Sequence, residues 1–156
     1  MSRVRIFGIG SPSGDDQAGW LAVDALLAQG AQRDEGVVIE KLDRPGATLV
    51  ALLQNVEQAI LIDAMQCGGE PGSIKRFDQQ DWPSYSKGLS SHGLGVLDAL
   101  LLARELGSLP LRLELYGIEI GSAHPGEPAG SEIQVAAQHL AERVAADLAA
   151  TTNRHA

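Results

Sequence analysis

The sequence predicts an α/β fold whose open sheet presents a site at the carboxyl ends of its strands. Two stretches carry that expectation. The short apolar run Val4-Arg5-Ile6-Phe7 enters the glycine-rich stretch Gly8-Ile9-Gly10-Ser11-Pro12-Ser13-Gly14, and an amphipathic run begins at Trp20. Strand, glycine-rich turn and helix is how such sheets open a site after the first strand. Further along, Gln58-Ala59-Ile60-Leu61-Ile62-Asp63-Ala64 has the near-continuous apolar character of a central strand buried on both faces.

The elements follow in order. Residues 4–9 read as a buried strand, and residues 17–29 as a helix with Trp20, Leu21, Val23, Leu26 and Leu27 near helical spacing. A polar connection, 30–36, leads to a second strand over 37–42. Asp43-Arg44-Pro45-Gly46 is a turn. A short helix is expected over 47–56, then the apolar strand 58–64. Cys67-Gly68-Gly69-Glu70-Pro71-Gly72 is loop, and 73–77 suits a further strand, antiparallel at an edge. Residues 78–87, with Trp82, Pro83 and Tyr85, look irregular. An apolar helix is expected over 96–106. Residues 111–120 alternate apolar with polar side chains, as a half-covered strand does. A loop containing His124 leads to a long Ala-rich helix over 131–150, with Ser131 and Glu132 suited to its start.

At 156 residues the chain is long enough to bury a proper core. Residues 1–150 are expected to form one α/β domain and 151–156 a flexible tail. The formal charge of −8 argues against nucleic acid or an anionic membrane as a partner. Cys67 is the only cysteine, so no internal disulfide can form. The first residues lack a signal pattern and no apolar stretch approaches a membrane span, so the expected location is cytoplasmic.

The chemistry-bearing residues fall at element junctions. Asp15 and Asp16 sit where a helix begins. One of them can cap free N–H groups there while the other points into the cleft. A dinucleotide site fits poorly, because the third glycine of its fingerprint is missing and two carboxylates would repel a pyrophosphate. Asp63 ends the central strand, where α/β sheets place their sites. His92 precedes the helix that starts near Val96. A parallel sheet would gather Asp16, Asp63 and His92 on one rim. Two carboxylates and one imidazole make a ligand set for a borderline divalent metal such as nickel or zinc, with open coordination positions. The same trio can instead do acid–base chemistry without metal. Cys67 with His92 as its base is a further arrangement, for which the sequence offers no sign of a lowered thiol pKa.

These residues together resemble the hydrogenase maturation endopeptidases, which process the large subunit of nickel–iron hydrogenases. The resemblance rests on Gly8-Ile9-Gly10-Ser11-Pro12-Ser13-Gly14-Asp15-Asp16, Ile60-Leu61-Ile62-Asp63-Ala64, Ser91-His92-Gly93-Leu94 and Leu115-Tyr116-Gly117-Ile118, in that order over nearly the whole chain. It implies a three-layer fold, with a twisted, mostly parallel sheet of about five strands between helices. It implies Asp16, Asp63 and His92 as metal ligands and catalytic residues. The metal would be nickel already inserted in the hydrogenase large-subunit precursor, and the reaction removal of a carboxyl-terminal extension. A monomer is expected. Ser11 stands where the family has Asn, the loop is one residue shorter, and Gln17 stands where Gly is common. Two other readings compete: a binding module that senses nickel in the precursor without cutting it, and a different small α/β hydrolase or transferase.

Overall fold

A computed structural model of the chain describes residues 3–12, 14–31, 36–85, 95–121 and 128–154. Five strands form one sheet: β1 (Val4–Gly10), β2 (Val37–Asp43), β3 (Gln58–Met65), β4 (Ile74–Phe77) and β5 (Arg112–Glu119). Their order is β2-β1-β3-β5-β4. The first four of these lie parallel, and β4 runs antiparallel to β5 at the edge. The helices are α1 (Ala18–Ala28), α2 (Thr48–Leu52), α3 (Trp82–Tyr85), α4 (Val96–Glu105) and α5 (Ser131–Arg154).

Side chains alternate across a strand, so β1 serves two cores at once. Val4 and Ile6 join Ala22, Val23 and Leu26 of α1 and Ile133, Leu140 and Val144 of α5. Phe7 and Ile9 join Leu49 of α2, Trp82 of α3 and Leu97 and Leu100 of α4. The result is the expected three-layer arrangement. β1 is the branch point: the chain leaves it through α1 to β2 on one side and returns through α2 to β3 on the other. The crevice between the carboxyl ends of β1 and β3 is the place where such sheets bind ligands.

Gly8 and Gly10 belong to β1 itself, on the face turned to α1. They serve close approach. A Cβ on Gly8 would lie 2.4 Å from the carbonyl oxygen of Gly19, and one on Gly10 would lie 2.5 Å from that of Asp16. Gly19 reciprocates from α1, since a Cβ there would meet the carbonyl oxygens of Ile9 at 2.3 Å and Ile62 at 2.5 Å. The first turn of α1 thus rests directly on the backbones of β1 and β3.

Several elements differ from the sequence expectation. β5 is not half-covered: from Leu115 onward every residue is buried, because the core of α5 covers Tyr116 and Ile118 on one face while the core of α4 covers Leu115 on the other. The stretch after β4 is helical in part, with a 3-10 turn over Gln79–Asp81 and then α3. Trp82 is the anchor there. It is fully buried, and its indole N–H donates to the Phe77 carbonyl at 3.4 Å. α2 is shorter than expected, and the backbone turns left-handed at Asn55 soon after it. α5 continues to Arg154, past the expected end at Ala150.

Candidate functional site

The rim of the sheet is built from the turn after β1, the end of β3 and the end of β5. Gly14, with φ of 49°, opens a 3-10 turn over Gly14–Gln17 that feeds α1 and packs against β3. The acid pair lies in this turn, and its two members face different ways.

Asp15 is buried. Its Oδ1 accepts the N–H of Gly130 at 2.8 Å, and its Oδ2 accepts the N–H of Gly121 at 3.1 Å. Gly130 immediately precedes α5, and Gly121 lies just past β5. The acid therefore serves the start of α5, while α1 begins at Gln17 with no side-chain cap. Asp16 is half-buried. Its carboxylate Oδ2 accepts the Ser11 hydroxyl, and its carbonyl accepts the Ser11 N–H at 3.3 Å. Ser11 thus holds the second acid at both its main chain and its side chain.

Asp63 is completely buried at the end of β3. Alternation along β3 puts it on the face of Leu61 and Met65, the side of the sheet covered by α4. Its Oδ1 accepts the N–H of the next residue, Ala64, at 2.8 Å. Since Gly8 pairs with Ile62, Asp63 lies beside the last residues of β1, and the turn carrying Asp16 packs on the same strand. These two acids share one rim. His92 and His124 lie outside the described residues. Among the described residues no three His, Cys, Asp or Glu side chains converge on a single metal position.

A further carboxylate on the rim has no place in the sequence reading. Glu119 ends β5, opposite Met65 of β3, and is buried. It accepts the N–H of Cys67 at 3.0 Å and that of Gly69 at 3.1 Å. A Cβ on Gly69 would lie 3.2 Å from the Glu119 Oε1, so the glycine lets the loop close on the acid. The available signal was a Glu at the end of a strand facing a Gly-Gly loop. The same carboxylate bears on Cys67, whose thiol is pushed above its ordinary pKa by burial first and by the Glu119 charge second, with Lys75 pulling the other way. That is the wrong direction for a thiolate nucleophile at neutral pH.

Fold and rim define a small α/β protein with acids on its first turn and central strand, at the branch point of the sheet. The hydrogenase maturation protease (HycI) family matches residues 26–147, and the chain belongs to that family. Among curated relatives, the hydrogenase expression/formation protein HupM of Azotobacter chroococcum is 29% identical over 118 residues, covering 74% of this chain and 56% of the relative. HupD of Thiocapsa roseopersicina is 29% identical over 121 residues, covering 74% of this chain and 53% of that protein. The chain thus spans about half the length of these curated relatives. Among solved structures, the hydrogenase maturating endopeptidase HybD from E. coli superposes with a TM-score of 0.80 at 24% identity, over 96% of this chain and 93% of that one. The maturation protease HycI from Thermococcus kodakarensis superposes with a TM-score of 0.68 at 25% identity, over 92% and 90%.

Proposed function

We propose that this protein is an endopeptidase that removes the carboxyl-terminal extension of a nickel–iron hydrogenase large-subunit precursor after nickel insertion. The supporting observation is that a chain of this family carries Asp16 and Asp63 on adjoining elements of one rim. In this reading Asp16, Asp63 and His92 recognise nickel already seated in the precursor, so the metal is part of the substrate. Oxygen and imidazole donors suit nickel, and a three-donor set leaves positions for the precursor's own ligands. The protein acts as a monomer in the cytoplasm, and its macromolecular partner is the precursor.

The Asp63 Oδ1 accepts the Ala64 amide, so that oxygen is oriented before any substrate arrives. Asp16 is similarly held by Ser11. Ser11 supplies a hydroxyl donor to the acid. Peptide hydrolysis then requires a water activated either by the metal ion or by one of the two carboxylates.

Substitution tests the assignment. Asp16→Ala, Asp63→Ala and His92→Ala are each expected to abolish precursor processing while far-ultraviolet circular dichroism shows a folded protein. Asp63→Asn keeps the volume of the buried side chain and is expected to be equally inactive. A fully active Asp63→Ala protein would remove Asp63 from the site.

A further inference from the structure

We infer that Asp15 is a positioning residue: by gripping the end of β5 and the start of α5 it fixes the turn that carries Asp16 and sets the direction of the Asp16 carboxylate. This rests on the reading of Asp16 as a substrate-facing group. Asp15 is 7% exposed, and each of its oxygens accepts a backbone N–H, from Gly130 and from Gly121. The donors lie 115 and 106 residues away along the chain. One side chain therefore ties the turn after β1 to two elements from the far end of the sequence.

Asp16 is the next residue and has little slack. On the β1 side, a Cβ on Gly10 would lie 2.5 Å from the Asp16 carbonyl oxygen, so strand and turn are already in close contact. Its main-chain carbonyl takes the Ser11 N–H and its carboxylate the Ser11 hydroxyl. Successive residues in a tight turn cannot rotate independently. Holding Asp15 toward α5 leaves Asp16 facing Ser11 and the strand ends.

The chemistry explains why an acid is needed at position 15. A carboxylate is acceptor-only and offers two oxygens to two N–H donors. Asparagine offers one oxygen and turns an NH2 group toward the second donor. The negative charge also lies at the amino end of α5, the positive end of that helix's dipole. Asp15→Asn therefore keeps the volume but loses one hydrogen bond and the charge.

The test compares isotope-labelled wild type and Asp15→Asn by nuclear magnetic resonance, with Asp15→Glu as a variant that keeps both acceptors. In Asp15→Asn the Gly121 and Gly130 amides are expected to exchange at least about tenfold faster, as expected for loss of a charge-assisted bond. The Ser11 amide and the Asp16 carboxyl carbon are expected to shift with them. Processing of nickel-loaded precursor is expected to fall about ten- to hundredfold in kcat with KM nearly unchanged, and Asp15→Glu to recover part of it. If Gly121 and Gly130 lose protection while the Ser11 and Asp16 signals stay as in wild type, Asp15 merely fastens β5 to α5 and the inference is overturned. If the wild type does not process the precursor, the proposed activity fails, and the Ser11 and Asp16 signals alone decide the role of Asp15.

Discussion

Gly19→Ala separates close packing from helix propensity. In an exposed helix interior this change stabilises by about 0.8–1 kcal/mol. At Gly19 the added Cβ would sit 2.3 Å from the Ile9 carbonyl oxygen, 2.5 Å from that of Ile62 and 2.9 Å from the Ile9 nitrogen. All three are backbone atoms of central strands, so none can swing aside as a side chain would. Ordinary contact begins near 3.4 Å, so the first turn of α1 must lift by about 1 Å. Overpacking of this kind costs about 1–3 kcal/mol, and contact with rigid backbone belongs at the upper end. Net of propensity, a loss of about 2 kcal/mol is expected, or a fall of about 4–8 °C in Tm for a chain of this size. Thermal unfolding followed by circular dichroism reads this directly. Because the lifted turn carries Asp16 away from β3, precursor processing should fall as well. A Gly19→Ala protein with unchanged or raised Tm would refute the claim that α1 rests on the strand backbones.

Four further outcomes follow from the rim and the sheet. Glu119→Gln replaces a carboxylate that accepts the Cys67 and Gly69 amides, and urea unfolding should show a loss of about 1.5–3 kcal/mol. Unchanged stability would mean that these bonds contribute nothing net. Alkylation of Cys67 by iodoacetamide near neutral pH should be slower than in the urea-unfolded chain, and faster in Glu119→Gln than in wild type, since burial and the Glu119 charge both raise the thiol pKa. Cys67→Ser should retain processing; its loss would restore the thiol as a candidate nucleophile. The Tyr116 phenol, buried and donating to Glu114 Oε2 at 2.9 Å, has its pKa pushed up from 10.0 to about 12 by burial first and by that bond and charge second. A raised folded-state pKa stabilises the neutral form, so this contribution is full below pH 10 and is lost as pH rises through about 12. Unfolding midpoints should fall across that window in wild type and more gently in Tyr116→Phe, and equal slopes would contradict the shift.

Most of the scaffold was legible because its signals are local. The apolar run of β3, the glycine-rich exit of β1 and the edge position of β4 could be read from neighbours in the chain. Asp16 and Asp63 were legible as acids at junctions, a position that an α/β sheet turns into a rim. That Gly8 and Gly10 let another group approach closely was legible from the residue type. That the group is the turn and first residues leading into α1 was not, since it depends on a helix lying across them. The long-range polar contacts were not legible at all. Nothing near Asp15 points to Gly121 or Gly130, more than a hundred residues away. Glu119 looked like one of the outward residues of an alternating strand. Its burial follows from the loop after β3 folding over the strand end. Trp82 sat in a polar stretch whose short helices exist because its indole finds a core between β4 and α4.

The most direct test of the proposed activity is the mass of the large-subunit precursor after incubation with this protein, with nickel-loaded and nickel-free precursor in parallel and Asp63→Ala as control. The expected result is loss of a carboxyl-terminal peptide only when nickel is present and Asp63 is intact. Binding of the nickel-loaded precursor with no change in its mass would contradict the protease assignment and leave the rim as a docking site. Cleavage of both precursors alike would contradict recognition through the metal.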